Sequence, residues 1–103
     1  MAKVETSLVR IQYVQESRTR ATWGNPHGLR RFVIGAERQP SGDTLAETRL
    51  SFSTLDPLKA SLCQRAIPSA ARAGLVLRVK HQKTRYFDDE LLHVEMVKEQ
   101  ASA

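Results

Sequence analysis

Basic and aromatic residues are concentrated in two stretches of the sequence. Residues 18–31 contain four arginines together with Trp23, and residues 72–87 contain basic residues but no acidic one. Cationic side chains hold phosphates and aromatic rings stack on bases, so this combination is typical of binding to single-stranded nucleic acid. The candidate binding residues of the two stretches are Arg18, Arg20, Trp23, Arg30, Arg31, Arg78, Lys80, Lys83, Arg85 and Tyr86.

The same residues also have purely structural interpretations. Charged rows on strands often form only the solvated face, and this interpretation holds as well as binding for Arg49, Arg72 and Arg78 taken singly. Trp23 either closes one end of the fold or lies exposed for stacking. Its neighbours in the chain are small and polar, which favours the exposed position.

The remaining aromatic residues divide between core and surface. Tyr13, Phe32 and Phe52 lie in apolar strand rows and are expected in the core. Tyr86 and Phe87 are adjacent, so a regular strand would turn one of them inward and the other outward. We expect Tyr86 to face outward, because it follows the basic run.

The sequence contains no recognisable motif for catalysis or metal binding. The histidines at positions 27, 81 and 93 are not at metal-ligand spacing, and each is expected to be a surface residue or a minor phosphate contact. The single cysteine, Cys63, is expected to be a small buried side chain on a helix. Residues 88–90 are acidic and are expected to serve turn formation and solvation at a hairpin tip. We therefore expect a binding protein without enzymatic activity, cofactor or metal.

The length and the net charge narrow the class of protein. At 103 residues the chain has room for one domain, residues 1–103, with a short disordered tail at 100–103. Sixteen Lys and Arg against eleven Asp and Glu give a net charge of +5, which favours a polyanionic partner. No apolar stretch is long enough to span a bilayer, and the first residues lack a signal-peptide core. A cytoplasmic protein is expected.

A hairpin over residues 74–99 shows the clearest period-two pattern, with its tip at Asp88 and Asp89. Its first arm extends to Tyr86 and carries the basic row on one side. The opposite, apolar sides of the two arms are Leu75, Leu77 and Val79, and Leu92, Val94 and Met96.

Three strands are predicted before the hairpin, over residues 4–15, 29–39 and 44–54, with a loop over residues 16–28. Gly35 lies inside the second of these strands, where a glycine indicates a bulge or a bend.

A helix is predicted to follow the third strand. Thr54 or Asp56 can cap it, Pro57 suits its first turn, and Pro68 should end it. The residues at helical spacing on its apolar side are Leu58, Leu62 and Ala66.

The predicted order is three strands, one helix and two strands. This is the order of the OB-fold, a small, partly open barrel whose face and loops bind single strands or sugars. An α+β sandwich could use the same elements. The bend at Gly35 and the position of the helix favour the barrel, so we predict a mainly β, five-stranded OB-fold with one helix between strands 3 and 4.

Four segments resemble the bacterial single-stranded-DNA-binding proteins and their short primosomal relatives. SLVRIQYVQESRTRATWGNPHGLRRFVIGAER resembles that family's opening strand, polar stretch, glycine turn and second strand. SFSTLDPLKASLCQRAI resembles its third strand and helix, SAARAGLVLRVKHQKTRY its fourth strand, and HVEMVKE its last strand. The likeness covers most of the chain as a pattern rather than as identity.

The resemblance implies binding of single-stranded DNA with little sequence preference, in replication, recombination or plasmid or phage DNA maintenance. The ending KEQASA differs from the acidic tail through which full-length members recruit replication proteins, and aromatic residues are few. Because small OB modules often bury a strand edge against a copy of themselves, a homo-oligomer is expected, with a dimer favoured. The alternative is a phage- or plasmid-encoded assembly module, either a host-factor binder or an RNA-packaging capsid subunit.

Overall fold

The computed structural model describes residues 3–18, 23–24, 26, 28, 30–39, 48–69, 74–85 and 87–97. Its elements are strands β1 (Val4–Arg18), β2 (Arg30–Arg38) and β3 (Arg49–Thr54), helix α1 (Pro57–Arg65), and strands β4 (Val76–Gln82) and β5 (Asp89–Met96). Arg20, Tyr86, the first part of the predicted third strand and the predicted tail lie outside the described residues. Within the ranges given, no helix has the length and apolar character needed to cross a membrane.

The five strands form a closed barrel in the order β1-β2-β3-β5-β4. Neighbouring strands run antiparallel, except that β3 and β5 run parallel. A parallel pair needs a long connection, and α1 and β4 provide it between β3 and β5. This is the predicted mainly β OB-fold barrel, with the single helix between the third and fourth strands.

A bulge in β1 changes which side chains face the barrel interior. Ile11 pairs with Ala36 and Tyr13 pairs with Gly35, so Gln12 has no opposite residue in β2. Because a one-residue insertion reverses the alternation beyond it, Tyr13 leaves the inward row that Ile11 belongs to. The side chain of Tyr13 is 50% exposed. The prediction that Tyr13 belongs to the core is therefore wrong. The irregularity predicted at Gly35 of β2 is present on the opposite strand, at Gln12 of β1.

A second bulge occurs between β4 and β5. Lys80 pairs with His93 and His81 pairs with Leu91, which leaves Leu92 as the extra residue. As a result Leu91 and Val94 are buried, and Met96, at the end of β5, is 60% exposed. Val94 of the predicted apolar row is therefore confirmed, whereas Leu91 takes the inward position predicted for Leu92, because a strict period of two cannot anticipate an inserted residue.

The lengths of β1 and β4 also differ from the prediction. Arg18 belongs to β1, which continues through residues that were predicted as loop. The side chains of Glu16 and Arg30 form an ion pair of 2.6 Å that links β1 to β2 beside this end. In contrast, β4 ends at Gln82, so Lys83 lies in the connection to β5 rather than on the strand.

The core fills the interior of the barrel. Phe52 is the largest fully buried side chain, and it packs with inward residues of the other strands, including Ile11, Ile34 and Val79. Burying an apolar side chain of this size stabilises the fold by about 1.5–3 kcal/mol. Phe32 is 8% exposed, so both phenylalanines that were predicted in the core are there.

Helix α1 begins as the sequence predicts. Asp56 is its N-cap, and its Oδ1 accepts a hydrogen bond of 2.9 Å from the backbone N–H of Leu58. This bond, followed by a contact with the ammonium of Lys59, holds the pKa of Asp56 below its usual range. Pro57 occupies the first turn, where its missing N–H costs nothing.

The face that α1 buries differs in part from the predicted one, of which only Ala66, at the C-cap, is buried. Ala60 and Cys63 are buried, whereas Leu58 is 74% exposed and Leu62 is 40% exposed. The helix thus lies against the barrel through small side chains rather than through its leucines. Cys63 is buried as predicted, and desolvation raises the pKa of its thiol to about 12, which makes it a poor nucleophile.

Candidate nucleic-acid interface

A groove of about 1070 Å³ crosses the barrel surface over β2 and β3, and we call it the β2–β3 groove. Gly35 pairs with Ser51 and Glu37 pairs with Arg49, so the outward sides of these pairs form part of its floor. The connection between β4 and β5, residues 83–88, borders it. Its lining includes the side chains of Tyr13, Ser51 and Phe87, the cations Arg38, Arg49 and Lys83, and the carboxylates Glu5, Glu37 and Asp89.

Tyr13 lies over Gly35 in the β2–β3 groove. A Cβ atom at Gly35 would overlap the ring atoms of Tyr13, so only glycine allows this close approach. The bulge at Gln12 turns the ring outward, and Gly35 provides the space beneath it. The barrel therefore presents a flat aromatic surface that is half exposed and backed by the sheet.

Phe87 borders the same groove and is 94% exposed. The prediction assigned the outward position to its neighbour Tyr86, which lies outside the described residues. Phe87 is in the β4–β5 connection rather than on a strand, so strand alternation does not apply to it. Trp23 is also fully exposed, which excludes the interpretation that it closes one end of the barrel.

Asp88 fastens the β4–β5 connection to the outer face of β2 and β3. Its Oδ2 accepts a hydrogen bond of 3.2 Å from Arg31 Nη2, and its Oδ1 accepts another from the hydroxyl of Ser51. Its backbone carbonyl accepts a bond of 2.9 Å from Thr84 Oγ1. The expectation that Asp88 serves only turn formation and solvation is therefore wrong. The positive charge of Arg31 is balanced by this carboxylate.

The cations of the β1–β2 hairpin lie at the end that leads to residues 19–29. Arg30 pairs with Glu16 and also lies over the ring of Phe32, 5.1 Å from its centroid. The hydrogen bond from Arg30 holds the pKa of Glu16 below its usual value and raises that of Arg30 itself. Arg18 is exposed opposite Arg30 in the ladder.

The basic row of β4 lies on a different face of the barrel. β4 lies between β1 and β5, whereas the groove lies over β2 and β3. Arg78 forms an ion pair of 2.6 Å with Glu95, and this contact lowers the pKa of that carboxyl group. Lys80 is exposed between Thr6 and His93. The structure thus divides the predicted binding residues between two faces, with Lys83 beside the groove and Arg78 and Lys80 away from it.

A buried polar cluster was missed by sequence reasoning. His81 is 1% exposed and contacts Ser7 and Asp89, whereas it was predicted on the surface. His93 is exposed as predicted, and His27 lies outside the described residues. A signal was present, because His81 continues the inward row of β4 after Leu77 and Val79. The spacing of the histidines, which bears only on metal binding, does not reveal this burial.

Comparison with protein-family models, curated proteins and solved structures finds no match to this chain. Among the described residues, no group of His, Cys, Asp and Glu side chains is arranged to hold a metal ion. The functional assignment therefore depends on the geometry of the chain itself.

Proposed function

We propose that this protein binds single-stranded DNA with little sequence preference, and that the strand lies in the β2–β3 groove. The observation that carries the proposal is the pair of exposed aromatic rings, Tyr13 and Phe87, on one groove that also contains cations. Exposing an aromatic ring to water is unfavourable unless a partner covers it, and bases are planar partners. The groove would bind and release its ligand without making or breaking bonds.

Each groove residue has a proposed role. Tyr13 stacks under one base and Phe87 under another, and each stacked base contributes about 1–3 kcal/mol. Lys83 and Arg49 line the groove and contact phosphates. The ammonium of Lys83 is carried on a flexible stem, whereas the guanidinium of Arg49 is planar and can form two parallel hydrogen bonds. Because these contacts address ring faces and backbone rather than base edges, they carry little sequence information.

The β1–β2 hairpin would extend the binding path beyond the barrel. Arg18 and Trp23 are exposed there, and Arg30 is held in place by Glu16. Arg20, Tyr86 and the exposed Arg85 complete the proposed set. Arg31 would bind a phosphate that displaces the carboxylate of Asp88 from the Arg31 guanidinium.

The cellular setting belongs to the same proposal. A sequence-tolerant binder of this kind would act in the cytoplasm, in replication, recombination or maintenance of plasmid or phage DNA. It would work as a homo-oligomer, with a dimer favoured, and would meet replication proteins on its substrate. Size-exclusion chromatography with light scattering measures the oligomer directly, and a monomeric mass at working concentration would contradict that part.

Trp23 provides the test of binding, because it is fully exposed and is the only tryptophan in the chain. Titration with oligothymidine should quench its fluorescence, and the affinity should fall steeply as salt rises, since the binding cations release counterions condensed on the phosphates. Duplex DNA of the same length should bind more weakly. An affinity for duplex DNA equal to that for oligothymidine, or the absence of salt-sensitive quenching, would contradict the proposal.

A further inference from the structure

Ser7, His81 and Asp89 form a continuous hydrogen-bonded chain inside the barrel. His81 Nε2 lies 2.8 Å from Ser7 Oγ, and His81 Nδ1 lies 2.7 Å from Asp89 Oδ2. The three residues come from β1, β4 and the first position of β5. Ser7 is 8% exposed and His81 is 1% exposed, so both side chains are buried in the free protein.

The polarity of the chain follows from the chemistry of its end groups. A carboxylate only accepts hydrogen bonds, so His81 Nδ1 carries the proton that Asp89 receives. In the neutral imidazole the other nitrogen is then an acceptor, and Ser7 Oγ–H donates to it. This arrangement is the one in which a histidine can remove the proton of a serine hydroxyl.

The barrel holds the imidazole ring in one orientation. The ring of Phe52 lies 4.9 Å from that of His81, centroid to centroid, and is itself fully buried. His81 pairs with Glu5 on β1 and with Leu91 on β5, so strands fix its backbone on both sides. Catalytic groups supported in this way by regular elements keep their geometry without a bound ligand.

A cleft of about 560 Å³ beside β1 is lined by Ser7, and also by Lys3, Arg38 and Gln39. Arg38 Nε is buried and has no hydrogen-bond partner. An unpaired buried guanidinium N–H is costly unless a ligand or a developing charge uses it. Arg38 pairs with Val9, two residues from Ser7 on the same inward row, so its side chain belongs to the same side of the sheet.

We propose that Ser7 is the nucleophile of a second site, which transfers the acyl group of a small ester to water. In the first step Ser7 Oγ bonds to the carbonyl carbon, its proton moves to His81 Nε2, and the carbonyl oxygen becomes an oxyanion facing Arg38. The carbon–oxygen bond to the leaving alcohol then breaks, and that alcohol takes the proton from His81. Water, activated by His81, hydrolyses the acyl-serine and restores the starting state.

This site goes beyond the proposed binding function, and it adjoins the β2–β3 groove, which Arg38 and Asp89 also line. It differs from the expectation, drawn from the absence of a recognisable catalytic motif in the sequence, of a binding protein without enzymatic activity. The cleft volume lies within the range of small-molecule sites, which is enough for a small ester. Asp89 acts through His81 and is a positioning residue.

The first experiment is labelling of the folded protein with a small fluorophosphonate, followed by mass spectrometry of its peptides. We expect a single adduct on Ser7, lost in His81→Gln, which removes the base. Ser61→Ala is the matched control, because Ser61 is an exposed serine on α1, and labelling of this variant should equal that of the wild type. An unlabelled Ser7 in a protein that still shows its native circular dichroism would overturn the proposal.

Asp89→Asn separates catalysis from a merely structural hydrogen-bond chain. Asparagine preserves the shape and can donate to Nδ1, which moves the imidazole proton to Nε2 and leaves the ring unable to accept the proton of Ser7. Hydrolysis of p-nitrophenyl acetate should then fall by roughly 10²- to 10⁴-fold while the melting temperature stays within a few degrees. A wild-type rate no higher than that of Ser7→Ala would equally reject the site, whatever the groove binds.

Discussion

The face of β2 and β3 and the face of β4 both carry cations but differ in shape and in aromatic content. On the face of β2 and β3, a groove brings together Tyr13, Phe87 and Lys83. On the face of β4, Arg78 is paired with Glu95 and Lys80 is exposed. An exposed surface ion pair contributes little to stability and leaves little net charge for a ligand.

This difference shows that a basic row is not by itself a binding site. Any strand in which apolar and basic residues alternate, as in β4, turns its cations outward. The groove requires two further features. One is the bulge at Gln12, which turns Tyr13 outward over Gly35. The other is the connection held by Asp88, which borders the groove with Phe87.

Removing both rings from the groove should have the largest effect. Each of Tyr13→Ala and Phe87→Ala should weaken oligothymidine binding by roughly 5- to 150-fold, from about 1–3 kcal/mol of stacking per base. The double variant should lose about the product of the two factors, measured by fluorescence anisotropy of a labelled strand. Unchanged affinity in the double variant would remove the groove from the account.

Displacing Tyr13 without altering it should have the next largest effect. In Gly35→Ala the new methyl group overlaps the Tyr13 ring, which is half exposed and must swing away. Affinity should fall to about the level of Tyr13→Ala. Gly24→Ala is the matched control, because a Cβ at Gly24 meets no atom of the described residues within 4 Å, and its affinity should equal that of the wild type.

Freeing Arg31 should have a smaller effect in the opposite direction. Asp88→Asn removes the carboxylate charge but keeps an oxygen that can accept from Ser51. Arg31 then gains a net charge for phosphate, so affinity should rise about 2- to 5-fold and the salt slope should steepen by about one. A drop in affinity would instead show that Asp88 is needed to hold Phe87 in position.

The smallest effect is expected on the other face. Arg78→Ala and Lys80→Ala, singly or together, should change affinity by about 2-fold or less, because their face contains neither the groove nor its rings. The sequence predicts both residues as binding residues, so these variants decide between that prediction and the comparison of faces. A loss similar to that of Tyr13→Ala would favour the β4 face.

Much of the fold could be predicted from the sequence, because strand alternation and helix capping are local. Asp56 and Pro57 mark the start of α1, and Leu77 and Val79 mark the inward row of β4. The bulges at Gln12 and Leu92 could not be predicted, since each depends on pairing with a strand distant in the chain.

The candidate sites illustrate the same limit. The exposure of Trp23 was predicted correctly, but Tyr13 was assigned to the core and His81 to the surface. Both errors concern side chains whose direction depends on register or on partners from other strands. Ser7 lies 74 positions from His81 in the chain, so no local pattern connects them.

The most direct measurement of the central claim is an amide NMR titration of the labelled protein with oligothymidine. The account predicts that the resonances of Tyr13, Gly35, Ser51 and Phe87 shift together along one binding curve, while those of Arg78 and Lys80 stay in place. Shifts concentrated on Arg78 and Lys80, with the groove unchanged, would contradict it.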